Sequence, residues 1–185
     1  MTDNFDKVLA LVLKDEDGFS NNPKDPGGMT NLGVTKRVWE AFVGHEVDEA
    51  AMRALTPEAV APLYRQNYWN RVHGDELPAG VDYAVMDFAV NSGPTLAAKT
   101  LQRACGVQDD GAIGPQTMQA VNAADPITLI DTVCDQRLAF LQTLSTFATF
   151  GRGWTARVQR VKAASEQMQA PPEVGVGQGQ GQGQG

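Results

Sequence analysis

Apolar positions recur at helical spacing along almost the whole chain, and no run of strand-like alternation exceeds four or five residues. The pattern predicts a mainly α protein. Phe5, Val8, Leu9, Val12 and Leu13 line one face of a helix over roughly 4–15, with Asp3 or Asn4 as its cap and Gly18 as its stop. Residues 18–34 hold two Pro, four Gly and three Asn, which predicts a long irregular or hairpin-like loop, a common place for function when it follows a rigid helix. Thr35 caps a helix to about Phe42, and Thr56, with Pro57 at the first helical position, opens another that reaches Trp69. The most apolar helix covers 79–91, with Val81, Ala84, Val85, Phe88 and Ala89 on its buried face, and Ser92-Gly93-Pro94 ends it. Helices follow at about 94–105, 115–123, 126–148 and 154–168, separated by the Gly106–Gly114 loop, by Pro126 and by Gly151–Gly153.

From Pro171 the character changes. PPEVGVGQGQGQGQG has six Gly in fifteen residues and no apolar side chain larger than Val, too little to offset the entropy of ordering, so a disordered tail is expected over 171–185. The rest reads as a first region, 1–92, and a second helical region, 93–170, packed on it.

A chain of 185 residues can bury a core without disulfides or a structural metal. Its two Cys and two His exclude a disulfide scaffold and leave too few ligands for a zinc site, so no metal or cofactor is expected. Lys+Arg is 15 and Asp+Glu 22, a net charge of −7 that argues against a nucleic-acid partner. The deficit is uneven: residues 1–92 carry 15 acidic and 8 basic side chains, residues 93–185 carry 7 and 7. Arg137, Arg152, Arg157, Arg160 and Lys162 fall in a stretch, 136–165, without Asp or Glu. No apolar run approaches the roughly 18 residues of a spanning helix, and the start is acidic where an export signal would be basic. Synthesis in the cytoplasm, without stable membrane insertion, is the expectation.

Asp15-Glu16-Asp17 gathers three carboxylates at the negative end of the first helix, an arrangement that favours a retained proton on any member that is also desolvated, as a general acid needs. A solvated acidic helix end is the plainer reading. Eight residues separate Glu16 from Asp25 and four separate Asp25 from Thr30, and the loop between can fold back to place a carboxylate on each side of one groove. Glycoside hydrolysis requires such a pair, one acid for the leaving oxygen and a second carboxylate to attack the sugar or activate water. Thr30 would hold the water or orient Asp25, although Asp25 also suits an Asx-type turn in Asp-Pro-Gly-Gly.

EDGFSNNPKDPGGMTNLGVTKRVW resembles the signature of the phage and prophage muramidases of glycoside hydrolase family 108, and the similarity continues through YRQNYWNRVHGDELPAGVDYAVMDFAVNSGP and LQRACGVQDDGAIGPQTMQAV. The resemblance covers about 8–165. It implies a lysozyme-like α fold with a catalytic groove, cleavage of peptidoglycan glycan strands, and Glu16 as the catalytic acid. The Glu, Asp, Thr spacing is also similar to that of phage-type lysozymes, whose gap before Thr is one residue longer, and by it Asp25 and Thr30 are carried over. Asp17 stands where the family usually has Gly, and Met29 where a polar residue is common.

Tyr64, Tyr68 and Trp69 form either a core cluster or, for Tyr68 and Trp69, a surface on which sugar rings stack. Asn91 is placed to bond an N-acetyl group or to cap its helix. Asp110-Gly111-Ala112-Ile113-Gly114-Pro115-Gln116-Thr117 resembles the signature of small helical peptidoglycan-binding modules, which makes Asp110 a binding candidate, while Asp-Gly and Gly-Pro are also plain turn signals. The basic stretch 137–162 is either a wall-facing surface or a solvated helix face. Cys105 and Cys134 lie on apolar stripes and read as structural thiols.

Together these readings predict a peptidoglycan hydrolase of the lysozyme type: a monomer cleaving the β-1,4 bond between N-acetylmuramic acid and N-acetylglucosamine, reaching the wall by holin-type release or in a phage-like particle. Glu16, Asp25 and Thr30 are the catalytic candidates; Tyr68, Trp69, Asn91 and Asp110 are the substrate-binding ones. The alternatives are a lytic transglycosylase using Glu16 alone and a non-catalytic wall-binding particle protein.

Overall fold

Val8 and Val12 are fully buried, with Phe5 and Leu9 beside them, and this single stripe is what makes the first segment a core-facing helix, α1 (Phe5–Lys14). The computed structural model describes residues 4–16, 18–22 and 28–169; Asp17, Asp25 and the tail from Pro171 lie outside them. After α1, three short strands, β1 (Ser20–Asn21), β2 (Met29–Asn31) and β3 (Val34–Thr35), form an antiparallel sheet in sequence order. The segment expected to be an irregular or hairpin-like loop thus contains a hairpin, β2 to β3, turned by Leu32 (φ 50°) and Gly33 (φ 73°). Two consecutive positive φ values give the turn whose twist matches the flanking strands.

The helices that follow are α2 (Lys36–Val43), α3 (Glu49–Arg53), α4 (Pro57–Tyr64), α5 (Val81–Ser92), α6 (Pro94–Ala104), α7 (Pro115–Ala123), α8 (Pro126–Gln142) and α9 (Phe147–Gln167). Thr35 and Thr56 do cap α2 and α4, accepting from the N–H of Val38 and Ala59. α3 was not expected; Asp48 caps it, and its buried Met52 gives it one anchor. The helix expected to run from Pro57 to Trp69 stops at Tyr64 and continues as one wider π turn, Arg65–Trp69, in which the Tyr64 and Tyr68 rings lie 5.5 Å apart, tilted by 41°.

The break expected at Gly151–Gly153 falls earlier, between Gln142 and Phe147. Both glycines are helical. Gly151 is buried because the Phe147 ring lies on it, where a Cβ would stand 2.7 Å from the ring carbons.

α5 is the centre of the molecule. Every residue from Val81 to Ala89 is buried, so over that stretch the helix has no solvent face, and α1, α6, α8 and α9 pack around it. One continuous core results, running from Phe5 on α1 through Val85 to Val161 on α9. α8 and α9, joined by four residues, pack as an antiparallel pair against it.

Candidate active site

Glu16 stands just past the last turn of α1, where its N–H still bonds to the Leu13 carbonyl at 3.3 Å. The helix is rigidly anchored by its buried stripe, so the side chain leaves from a fixed point. That side chain is only 18 % exposed. The hairpin tip lies against it: a Cβ on Gly33 would meet Glu16 Oε2 at 2.8 Å, Glu16 Cγ at 3.0 Å and Tyr64 Oη at 2.6 Å. The Tyr64 hydroxyl in turn donates to the Leu32 carbonyl at 2.8 Å, tying α4 to the tip. Only glycine, with its positive φ and absent side chain, lets the hairpin seat on the carboxylate.

The other side of Glu16 is occupied by a cation from the far end of the chain. Arg157 Nη2, on α9, donates to Glu16 Oε1 at 3.1 Å and to Asp87 Oδ1 at 2.8 Å, while Arg157 Nε reaches Asp87 Oδ2 at 3.2 Å. Asp87, on α5, is completely buried and also accepts from Arg137 Nη1 of α8 at 2.7 Å. Burial alone would push the Asp87 carboxyl up; the charges of Arg137 and Arg157 and their hydrogen bonds outweigh it and hold the group below the usual carboxylate range. Burial likewise works against the charge on Arg157, and its bonds to Asp87 together with the charge of Glu16 more than compensate, raising its affinity for its proton. The hydroxyls of Tyr64 and Tyr68 are both pushed up, first by burial and next by the charge of Glu16.

Thr30 occupies the centre of the small sheet, paired with Ser20 on one side and Thr35 on the other. Directly opposed residues share a face, so Ser20, Thr30 and Thr35 line one side. Phe19, Asn21 and Asn31 line the other, where Arg53 covers the Phe19 ring, Asn21 reaches Glu49 and Asn31 donates to the Met52 carbonyl at 2.9 Å, all three on α3. The hydroxyl face therefore points away from α3. Thr30 is three residues before Gly33, a separation that even fully extended backbone could not stretch beyond about 11 Å. Asp25 falls outside the described residues.

Of the sugar-binding candidates, Tyr68 is half-buried beside Tyr64 and within the field of Glu16. Trp69 is not available for stacking: it is 1 % exposed, with the Phe5 ring edge-on at 5.4 Å and its indole N–H donating to Asp75 at 2.7 Å. The π turn rotates it into the core. Asn91 does not cap its helix; its Oδ1 accepts from Arg137 Nη2 at 3.2 Å, so it attaches to the same buried ion network. Asp110 is exposed, and its Oδ1 braces the turn into α7, accepting from Gln102 of α6 at 2.8 Å and from the Ala112 N–H at 2.9 Å.

The basic stretch also differs from a wall-facing surface. Arg137 and Arg157 turn inward to Asp87, Arg160 pairs with Asp15 at 2.6 Å, and Lys162 lies between Asp131 and Asp135. Only Arg152 of the five remains simply exposed, without an ion pair among the described residues. Cys134 is buried and its thiol is pushed up to about 12 by that burial, an inert environment. Among the described residues no group of His, Cys, Asp and Glu converges in a way that would hold a metal ion.

Sequence reasoning missed Arg157, Asp87, Tyr64 and Gly33 as parts of the site. One signal was present. A carboxylate between Met86 and Phe88 in the most apolar helix requires a buried cation, and the acid-free basic stretch was the place to look for it.

The Glycosyl hydrolase 108 family matches residues 9–93, and a Predicted Peptidoglycan domain matches residues 96–159. Among solved structures, SagA of Brucella abortus is 46 % identical, with a TM-score of 0.81 over 91 % of this chain and 97 % of that one. No curated protein compared with the chain matches it. The mainly α, lysozyme-like fold is therefore shared across nearly the full length of a solved relative. On this ground the chain belongs to the glycosyl hydrolase 108 family and is a glycoside hydrolase acting on peptidoglycan.

Proposed function

We propose that the chain hydrolyses the β-1,4 bond between N-acetylmuramic acid and N-acetylglucosamine, with Glu16 as the general acid. The observation that carries this reading is the seating of Glu16: a carboxylate at a rigid helix end, four-fifths buried, fixed by Arg157 on one oxygen and by the Gly33 turn beside the other. A proton donor must be held against the leaving oxygen and shielded from water to protonate it on departure. Oε2, the oxygen not bonded to Arg157, is the one assigned to the glycosidic oxygen. Asp25 is the base or electrostatic partner that meets the oxocarbenium-like centre, and Thr30, on the hydroxyl face of the sheet, orients the attacking water. Tyr68 contributes an aromatic edge for a sugar ring.

Product analysis on purified peptidoglycan tests this reading. Wild type is expected to release reducing muramic acid ends, Glu16→Gln none, and Asp25→Ala far fewer. Release of anhydro-muramyl ends by both wild type and Asp25→Ala would instead identify a lytic transglycosylase, in which the sugar's own hydroxyl attacks. A Glu16→Gln protein that clears cell walls at the wild-type rate refutes the assignment of the acid.

A further inference from the structure

We propose that Arg157 is a positioning residue of this hydrolase, holding the Glu16 carboxylate for proton transfer, so that the segment matched by a peptidoglycan domain completes the active site. This inference rests on the reading of Glu16 as the acid. Glu16 and Asp87 lie in the part matched by the hydrolase family, Arg137 and Arg157 in the part matched by the peptidoglycan domain. Their contact spans 141 positions of sequence.

Arg157 is fixed without help from Glu16. Two of its nitrogens bond to Asp87, which is 0 % exposed and is itself held by Arg137, 1 % exposed, from a third helix. The guanidinium has therefore already lost its conformational freedom and presents Nη2 at a set place, 3.1 Å from Oε1. Asp87, Arg137 and Arg157 together leave one positive charge over, and it is directed at Glu16. An arginine does not give up its proton in a protein, so its contribution is placement, never proton transfer.

The neighbouring cations show the contrast. Arg160, one turn further along α9, pairs with Asp15 but is 58 % exposed, and Lys162 meets its acids at the surface. Such pairs contribute little. The Arg157 pair is mostly buried on both sides, 13 % and 18 % exposed, and it ends on the proposed acid.

The test compares wild type with Glu16→Gln, Arg157→Met, Arg157→Lys and Arg160→Met, measuring kcat and KM by reducing-end release, retention on insoluble peptidoglycan, and the melting curve. Arg157→Met is expected to lose about a hundred-fold in kcat, the scale of an ångström-level misplacement, with KM and retention within about two-fold of wild type. Arg160→Met, which removes the same charge one turn away, is expected to stay within about two-fold in all three. Arg157→Lys keeps a cation for Asp87 but cannot hold two carboxylates with one planar fork; it is expected to lose at least about ten-fold in kcat at an unchanged melting temperature. That variant carries the test if Arg157→Met does not fold. A wild-type kcat in Arg157→Lys, or a rise in KM with lost retention at constant kcat in Arg157→Met, overturns the proposal in favour of a structural or wall-binding role. Inactive Glu16→Gln beside fully active Arg157 variants removes only the role of Arg157, whereas active Glu16→Gln removes the reading of Glu16 on which it stands.

Discussion

Replacing Gly33 by alanine separates what the hairpin tip does for stability from what it does for catalysis. Two costs arise at once. The backbone stays at φ +73°, which disfavours any side-chain-bearing residue by about 1–2 kcal/mol. The new Cβ stands 2.6 Å from Tyr64 Oη and 2.8 Å from Glu16 Oε2, an overlap of the kind that costs about 1–3 kcal/mol when neighbours must shift. Tyr64 cannot retreat, because it is 1 % exposed and its hydroxyl is bonded to the same turn at Leu32. Relief comes from lifting the tip or swinging Glu16 off Arg157. A total of about 2–5 kcal/mol corresponds to a melting temperature lower by roughly 4–20 °C for a chain of this size. Turnover measured well below that temperature is expected to fall at least about ten-fold, since one route moves Glu16 itself and the other takes away the turn that seats it. Gly44→Ala is the matched control: it also has positive φ, +81°, but no atom within 4 Å of the added Cβ, so it should bear the backbone cost alone and keep full activity. Equal activity losses in the two variants, or wild-type melting and turnover in Gly33→Ala, would refute the reasoning.

Two further outcomes follow from the same geometry. Trp69→Phe deletes the indole N–H bond to Asp75 and part of a buried ring, and should lower stability by about 1–3 kcal/mol in urea melts while leaving KM for peptidoglycan unchanged; a several-fold rise in KM at constant stability would return Trp69 to the sugar-binding set. Asp87 has a folded-state affinity for protons below its unfolded one, so its contribution is present above about pH 4, the unfolded value, and is lost as pH falls through the lower folded value. Unfolding free energy should therefore drop steeply below about pH 4, and Asp87→Asn should flatten that slope while costing about 3–5 kcal/mol at pH 7, because two guanidinium groups lose their buried counter-ion; an unchanged acid slope in the variant would contradict this assignment.

Local chemistry made the helix starts legible. Thr35, Thr56 with Pro57, Pro94, Pro115 and Pro126 each mark a beginning that the fold uses. The misreadings occur where tertiary contact overrides local preference. Gly151 breaks helices in isolation, yet here an aromatic ring packs where its side chain would be, and α9 runs through it. The π turn at Arg65–Trp69 has no sequence mark, and Trp69, which ends it, faces the core. In the site, Glu16 was legible from its place at a helix end before a glycine-rich loop. Its partners were not, because Arg157 is 141 residues away and Gly33 looks like any turn glycine until the hairpin is folded onto the carboxylate.

The inward turn of the cations on α8 and α9 also governs how the enzyme meets its polymer. Arg137, Arg157, Arg160 and Lys162 are engaged by acids of the same molecule, so their charge is largely cancelled within it, while a net charge of −7 remains for the chain as a whole. Toward an anionic wall such a particle experiences long-range repulsion, and capture is left to short-range contacts. Raising ionic strength from about 0.01 M to 0.15 M shortens the screening length from about 30 Å to about 8 Å, which should speed encounter rather than slow it, the reverse of a hydrolase that is steered to its substrate by a basic face.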